Sequence, residues 1–193
     1  MFLRVNRWYA FPFILSRGTP VNISTDEFGK LFTTFEREAF RLEALDDYSS
    51  SSDPEMIRAF LAGEPQPSEY NQQWVDDVRR STDAGKRMYR VHVVSRPLTS
   101  YLRFELGWGY IKSQAVGEEF FILDTTEQEN PVSGIPDFWM FDESRVVSMN
   151  YGEKGKFLGA ELEPETTEWV KVRDTALRHA APFSEWWERH GQE

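Results

Sequence analysis

Arg90, His92 and Glu105 are the side chains whose types and spacing could carry chemistry. They sit in RMYRVHVVSRPLTSYLRFELGWG, residues 87–109. If Tyr89–Val94 is a strand, alternate residues share a face. Met88, Arg90, His92 and Val94 then lie on one side, and Arg87, Tyr89, Val91 and Val93 on the other. A helix should begin near Pro97, and each of its residues turns by about 100°. Leu98, Tyr101, Leu102, Leu106 and Trp108 form its apolar stripe, with Glu105 near the middle and Arg103 on the opposite, wetter side.

A glutamate in that position must be reached by solvent in a cleft, paired with a cation, or protonated, because an unpaired buried carboxylate is costly. One reading makes Glu105 a general acid or base, with His92 sharing the proton transfer and Arg90 or Arg103 holding an anion. Tyr101, Trp108 and Trp139 complete the candidate binding set. The other reading is a buried ion pair that sets how strand and helix pack. We prefer the second, since structural ion pairs also perturb titrating groups.

Other features point to structure. Arg79, Arg80, Lys86, Arg87 and Arg90 are the most basic segment, but cations near the end of a helix complement its dipole. Few aromatics sit where bases could stack, which argues against a single-strand groove. DFWMFD (137–142) reads as a buried strand, with a ligand-lining face as the alternative. His92, His179 and His190 fit no metal-ligand spacing, and neither a Gly-rich phosphate loop nor a G-x-S-x-G turn is present. No metal or cofactor is expected.

These residues need elements to hold them. Ser24–Glu27 reads as a capping box, followed by apolar residues at helical spacing from Phe28 to Leu42. The polar run 47–53 reads as a mobile loop, and helices follow over 54–61 and about 68–84. Strands are expected at 119–123, 137–141, 145–151 and 157–162, the last three separated by tight turns, and a final helix at about 164–180. The expected fold is a single α+β domain over residues 23–183. In it an antiparallel meander in the C-terminal half packs on one face against N-terminal and C-terminal helices. Residues 1–22 read as an extension and 184–193 as a tail.

Bulk composition narrows the function classes. The 193 residues carry a net charge of −10, which repels nucleic acid and anionic lipid. Direct nucleic-acid or membrane binding is therefore not expected. The absence of cysteine excludes disulfides and thiolate chemistry and fits a cytoplasmic location. The run Trp8–Leu15 imitates a signal peptide, but Pro12 interrupts it and it is too short to span a bilayer. An edge strand or an upstream start codon is the preferred reading.

Five stretches carry a family resemblance: FGKLFTTFEREAFRLEALDDY (28–48), IRAFLAGEPQP (57–67), AGKRMYRVHVVSRPLTSYLRFEL (84–106), DFWMFDESRVVSMNYGEKGKFLGAEL (137–162) and RDTALRHAAPF (173–183). Over roughly residues 25–183 the sequence resembles an actinobacterial family known only as domain of unknown function 6879. The resemblance implies a small cytoplasmic protein encoded beside helix-turn-helix regulators, and it supplies no catalytic residues. The expectation is a non-enzymatic regulatory protein that binds a helix-turn-helix regulator or a small ligand. The alternative is an enzyme acting on an anionic or phosphate-bearing small molecule or nucleotide.

Overall fold

The computed structural model describes residues 18–191. The run Trp8–Leu15 lies outside the described residues. Strand β1 (Val21–Ile23) leads into helix α1 (Thr25–Thr34), then β2 (Glu38–Glu43), α2 (Pro54–Leu61), α3 (Gln72–Asp83) and β3 (Arg87–Val94). A helical crossover follows, with α4 (Ser100–Phe104), a π-helical turn (Glu105–Tyr110) and α5 (Ile111–Gln114). The chain continues through β4 (Glu119–Asp124), β5 (Phe138–Phe141), β6 (Arg145–Tyr151), β7 (Phe157–Leu162), α6 (Thr167–His179), β8 (Ala181–Pro182) and α7 (Phe183–His190).

The α1 capping box forms as the sequence suggests. The Ser24 hydroxyl accepts from the Glu27 N–H, and the Glu27 carboxylate accepts from the Ser24 N–H at 2.8 Å. The helix does not run on to Leu42, however. Phe35 turns to extended backbone (φ −66°, ψ 151°). The next three N–H groups, of Glu36, Arg37 and Glu38, donate to the Asp142 carboxylate at 2.7–3.0 Å. That distant clamp overrides local helical spacing. Residues 38–43 (EAFRLE) become a central strand, with Phe40 and Leu42 on one face and Ala39, Arg41 and Glu43 on the other.

The eight strands form one sheet in the order β1-β7-β6-β5-β2-β3-β4-β8. The antiparallel meander β5-β6-β7 is present as expected. The strand at 119–124 does not belong to it. It runs parallel to β3, which itself runs parallel to β2. The reason is connectivity: helical crossovers return the chain to the start of the sheet, which parallel pairing requires. Successive crossovers in one direction place α2–α3 and α4–α5 on the same face.

Helices cover both faces rather than one. On the first, α6 presents Trp169, Val172 and Ala176 to Phe40, Leu42, Val91 and Phe138 in a dry core. The second face carries two separate apolar clusters. One joins α1 and α3 to Trp139, Phe141 and Val147. The other joins α2, α4 and α7 to Phe120 and Ile122.

Both chain ends depart from the expected boundaries. Val21 and Asn22 pair with β7 and so join the sheet edge. The segment read as a tail is mostly α7, because Trp186 is buried and its indole N–H donates to Asp124 at 2.9 Å. Among the described residues no helix is long and apolar enough to cross a membrane.

Candidate functional site

The gap between the two apolar clusters is where the polar residues converge. Parallel register sets Arg41 beside Arg90, and Trp139 and Phe120 extend the row across β5 and β4. Two adjacent guanidinium groups would repel one another. Glu43, one pleat along β2, separates them: Oε1 lies 3.1 Å from Arg41 and Oε2 lies 3.0 Å from Arg90. Aromatic faces flank the cations, with Trp139 5.5 Å from Arg41 and Phe120 5.2 Å from Arg90.

Every nitrogen of the Arg90 guanidinium is engaged. Nη1 donates to Glu43 at 3.0 Å, while Nε and Nη2 donate to Glu118 at 3.0 and 2.5 Å. Glu118 also accepts from the Trp74 indole at 2.8 Å, which ties α3 to the sheet. Burial opposes the charge on Glu43, but Arg41 and Arg90 outweigh it and hold its carboxyl far below the usual range. The expected Glu105–Arg90 pair does not form, and Arg90 directs its hydrogen bonds to Glu118 and Glu43 instead.

His92 is wholly buried. Its Nδ1 lies 2.8 Å from the Tyr110 hydroxyl and its Nε2 lies 3.1 Å from the Leu45 carbonyl. Tyr110 in turn donates to Glu43 at 2.7 Å. The imidazole therefore braces β3 against the crossover helix and the strand β2 exit, and it does not line the cleft described next.

Two adjoining hollows of 220 and 570 Å³ share Arg41, Asn71, Arg90 and Glu105. The smaller is walled by Trp74, Tyr110, Phe120 and Trp139. The larger is walled by Tyr48, Tyr70, Tyr101, Phe104 and Tyr151. Together they form a cleft over the second face of the sheet, running from the middle of β2 and β3 to the loop that follows β2.

Glu105 enters the cleft from the first residue of the π-helical turn. Such turns recur at functional sites because they re-aim a side chain. Gly109 makes room for it: a Cβ there would stand 3.2 Å from Glu105 Oε1. Among the described residues its one hydrogen bond runs from the Tyr101 hydroxyl at 3.3 Å, and it makes no ion pair. Burial pushes its carboxyl above the usual range, and the nearby charge of Glu43 adds to the effect, while Arg90, His92 and Arg41 only partly offset it.

The loop after β2 forms one wall and is docked. The Tyr48 hydroxyl donates to Asp137 at 2.6 Å, Ser51 Oγ donates to the Gly155 carbonyl at 2.6 Å, and the Phe157 N–H donates to Ser51 Oγ at 3.0 Å. Gly155 has φ +66°, and a Cβ on it would stand 2.5 Å from Tyr48 Cα. Gly155→Ala is therefore expected to cost about 2–4 kcal/mol through strained backbone and overpacking. Urea unfolding measures the cost, and faster protease cleavage within 47–53 would report the undocked wall.

Of the sequence-selected residues, Glu105, Arg90, Tyr101 and Trp139 meet at the cleft. Trp108 is packed among Phe60, Tyr70 and Phe104, outside the cleft lining, and Arg103 is exposed on the other side of its helix. Arg41, Glu43, Glu118, Asp137 and Tyr48 escaped the sequence reading. The alternation in EAFRLE was the available signal for the first two. Among the described residues no group of three carboxylates or histidines is placed to hold a metal ion.

Comparison with curated protein sequences finds no match. Phosphatidylserine synthase of Haemophilus influenzae Rd KW20 aligns at a TM-score of 0.40 and 11% identity, covering 86% of this chain and 39% of that one. TrmBL2, an archaeal chromatin protein, aligns at 0.34 and 15% identity, covering 89% of this chain and 51% of that one. The chain thus spans about half or less of these solved structures. A family model matches residues 26–188, and the chain belongs to the family described as a domain of unknown function, DUF6879.

Proposed function

We propose that this protein is a non-enzymatic binding domain whose cleft takes a small ligand and whose occupancy is read by a protein partner. One observation carries the reading: Glu105 projects into the cleft among aromatic walls, without an ion pair among the described residues. Largely pre-formed cavities with aromatic lining and a few placed polar groups are the usual form of ligand sites. The enzymatic alternative has His92 share the proton transfer with Glu105. His92, its intended partner, is enclosed and spends both ring nitrogens elsewhere. For the partner, a net charge of −10 suits a basic protein such as a helix-turn-helix regulator.

The test is equilibrium dialysis of the purified protein against a small-molecule extract of cells, with mass spectrometry of the retained compounds. Ser52→Trp, which fills the cleft mouth, serves as the control once circular dichroism shows it folded. Compounds retained by the wild type and lost by Ser52→Trp are the expected result. Equal retention by both, or retention by neither, would overturn the reading.

A further inference from the structure

We propose that the cleft selects small organic cations, holding an ammonium group against the Glu105 carboxylate and the rings of Tyr70 and Tyr101. This rests on the ligand-binding reading and names the chemistry of its ligand. Arg90 gives all its nitrogens to Glu43 and Glu118. Arg41 pairs with Glu43 and donates to the Tyr151 hydroxyl, both through Nη2, and its Nε is buried without a partner among the described residues. An anionic ligand that took Arg90 would have to displace a carboxylate, and an anion anywhere in the cleft would share it with Glu43 and Glu105. Carboxylates in the cleft lining outnumber cations, with Glu43, Asp53, Glu69 and Glu105 against Arg41 and Arg90. Glu105 has no cation of its own, and its one hydrogen bond is long.

The walls suit the same ligand. An ammonium ion over an aromatic face is attracted by the ring quadrupole, and desolvation strengthens the effect. Burial raises the phenol of Tyr101 above its usual range, with Glu105 contributing, so its ring stays neutral and its hydroxyl stays a donor. An ammonium group placed between these rings supplies the countercharge that Glu105 lacks.

Proton linkage follows. A bound cation favours the ionised carboxylate, so binding releases a proton from Glu105 and tightens as the pH rises. The groups that face Glu105 are Arg41 and Glu43 from β2, Arg90 and His92 from β3, Tyr70 ahead of α3, and Tyr101 and Tyr110 from its own helix. The assignment to Glu105 is therefore made with a variant, since the pH profile alone is shared among them.

The experiment is calorimetric titration of the full chain with three probes: choline, its uncharged tert-butyl isostere, and inorganic phosphate, each in mildly acid and mildly alkaline buffer. Choline is expected to bind about ten-fold more tightly than the isostere, and more tightly in alkaline buffer. Glu105→Gln is expected to lower choline affinity about ten-fold and to flatten the pH dependence. Tyr70→Leu, a second variant in a different segment, is expected to weaken choline and spare the pH dependence. Equal binding of the isostere, tighter binding of phosphate, or no binding of choline overturns the cation. The ligand-binding reading stands or falls separately, on whether dialysis retains any compound that Ser52→Trp loses.

Discussion

Replacing Arg90 by methionine is expected to cost the fold about 3–5 kcal/mol, the largest effect of any single substitution in the cleft. The side chain is 7% exposed, and its removal takes the cation from Glu118, 1% exposed, and leaves Glu43, 5% exposed, with Arg41 alone. Methionine nearly matches the aliphatic length, so the loss reads the uncompensated charge more than a cavity. Arg79→Ala supplies the contrast. Its pair with Asp76 is about half exposed on both sides, and such pairs contribute less than about 1 kcal/mol.

Urea unfolding of both variants makes the comparison. Adding Glu118→Gln to Arg90→Met should recover part of the loss, because the neutral amide needs no cation. The pH dependence has a definite sign. In the wild type the folded Glu43 carboxyl titrates below its ordinary 4.5, so its stabilisation is present above that pH and is lost as acid reaches the folded value. Arg90→Met loses the share that Arg90 supplies and keeps that of Arg41, so the two curves should approach one another on acidification. A loss below about 1 kcal/mol in neutral buffer would mean that water, rather than Arg90, neutralises these carboxylates.

How much of this was legible in the sequence depends on the range of the deciding contact. The strand carrying Arg90 and His92 on one face and the helix carrying Glu105 were readable because both follow from local periodicity. The meander was readable because its turns are short. The strand β2 was not, because apolar residues from Phe28 to Leu42 satisfy helical spacing until Asp142, more than a hundred residues away, takes three backbone N–H groups. With β2 read as helix, Arg41 and Glu43 could not be placed beside Arg90, and Glu105 was assigned a partner that Glu118 holds. Glu118 and Asp137 stand just outside strands, where neither a period of two nor one of 3.6 marks a facing direction.

Glu105→Gln should make the protein more stable in neutral buffer, in contrast to the other cleft substitutions. Burial and the charge of Glu43 raise the folded carboxyl above its ordinary 4.5. A group raised in the folded state contributes its stability below the unfolded value and loses it as the pH rises through the folded value. Wild type should therefore weaken relative to Glu105→Gln over that window, with the curves meeting in acid, where glutamic acid and glutamine are both neutral. The gain in neutral buffer is expected to be about 0.5–2 kcal/mol, the range found when a functional site is relieved of an unfavourable group. Paired thermal and urea unfolding from acid to alkaline buffer, with the variant subtracted from wild type, isolates Glu105 from Asp137 and Glu163, whose carboxyls burial also raises. Unchanged stability at every pH would mean that Glu105 is hydrated in the free cleft. A gain confined to neutral and alkaline buffer would show a carboxylate kept at a cost to the fold, which is the signature of a group retained for what it binds.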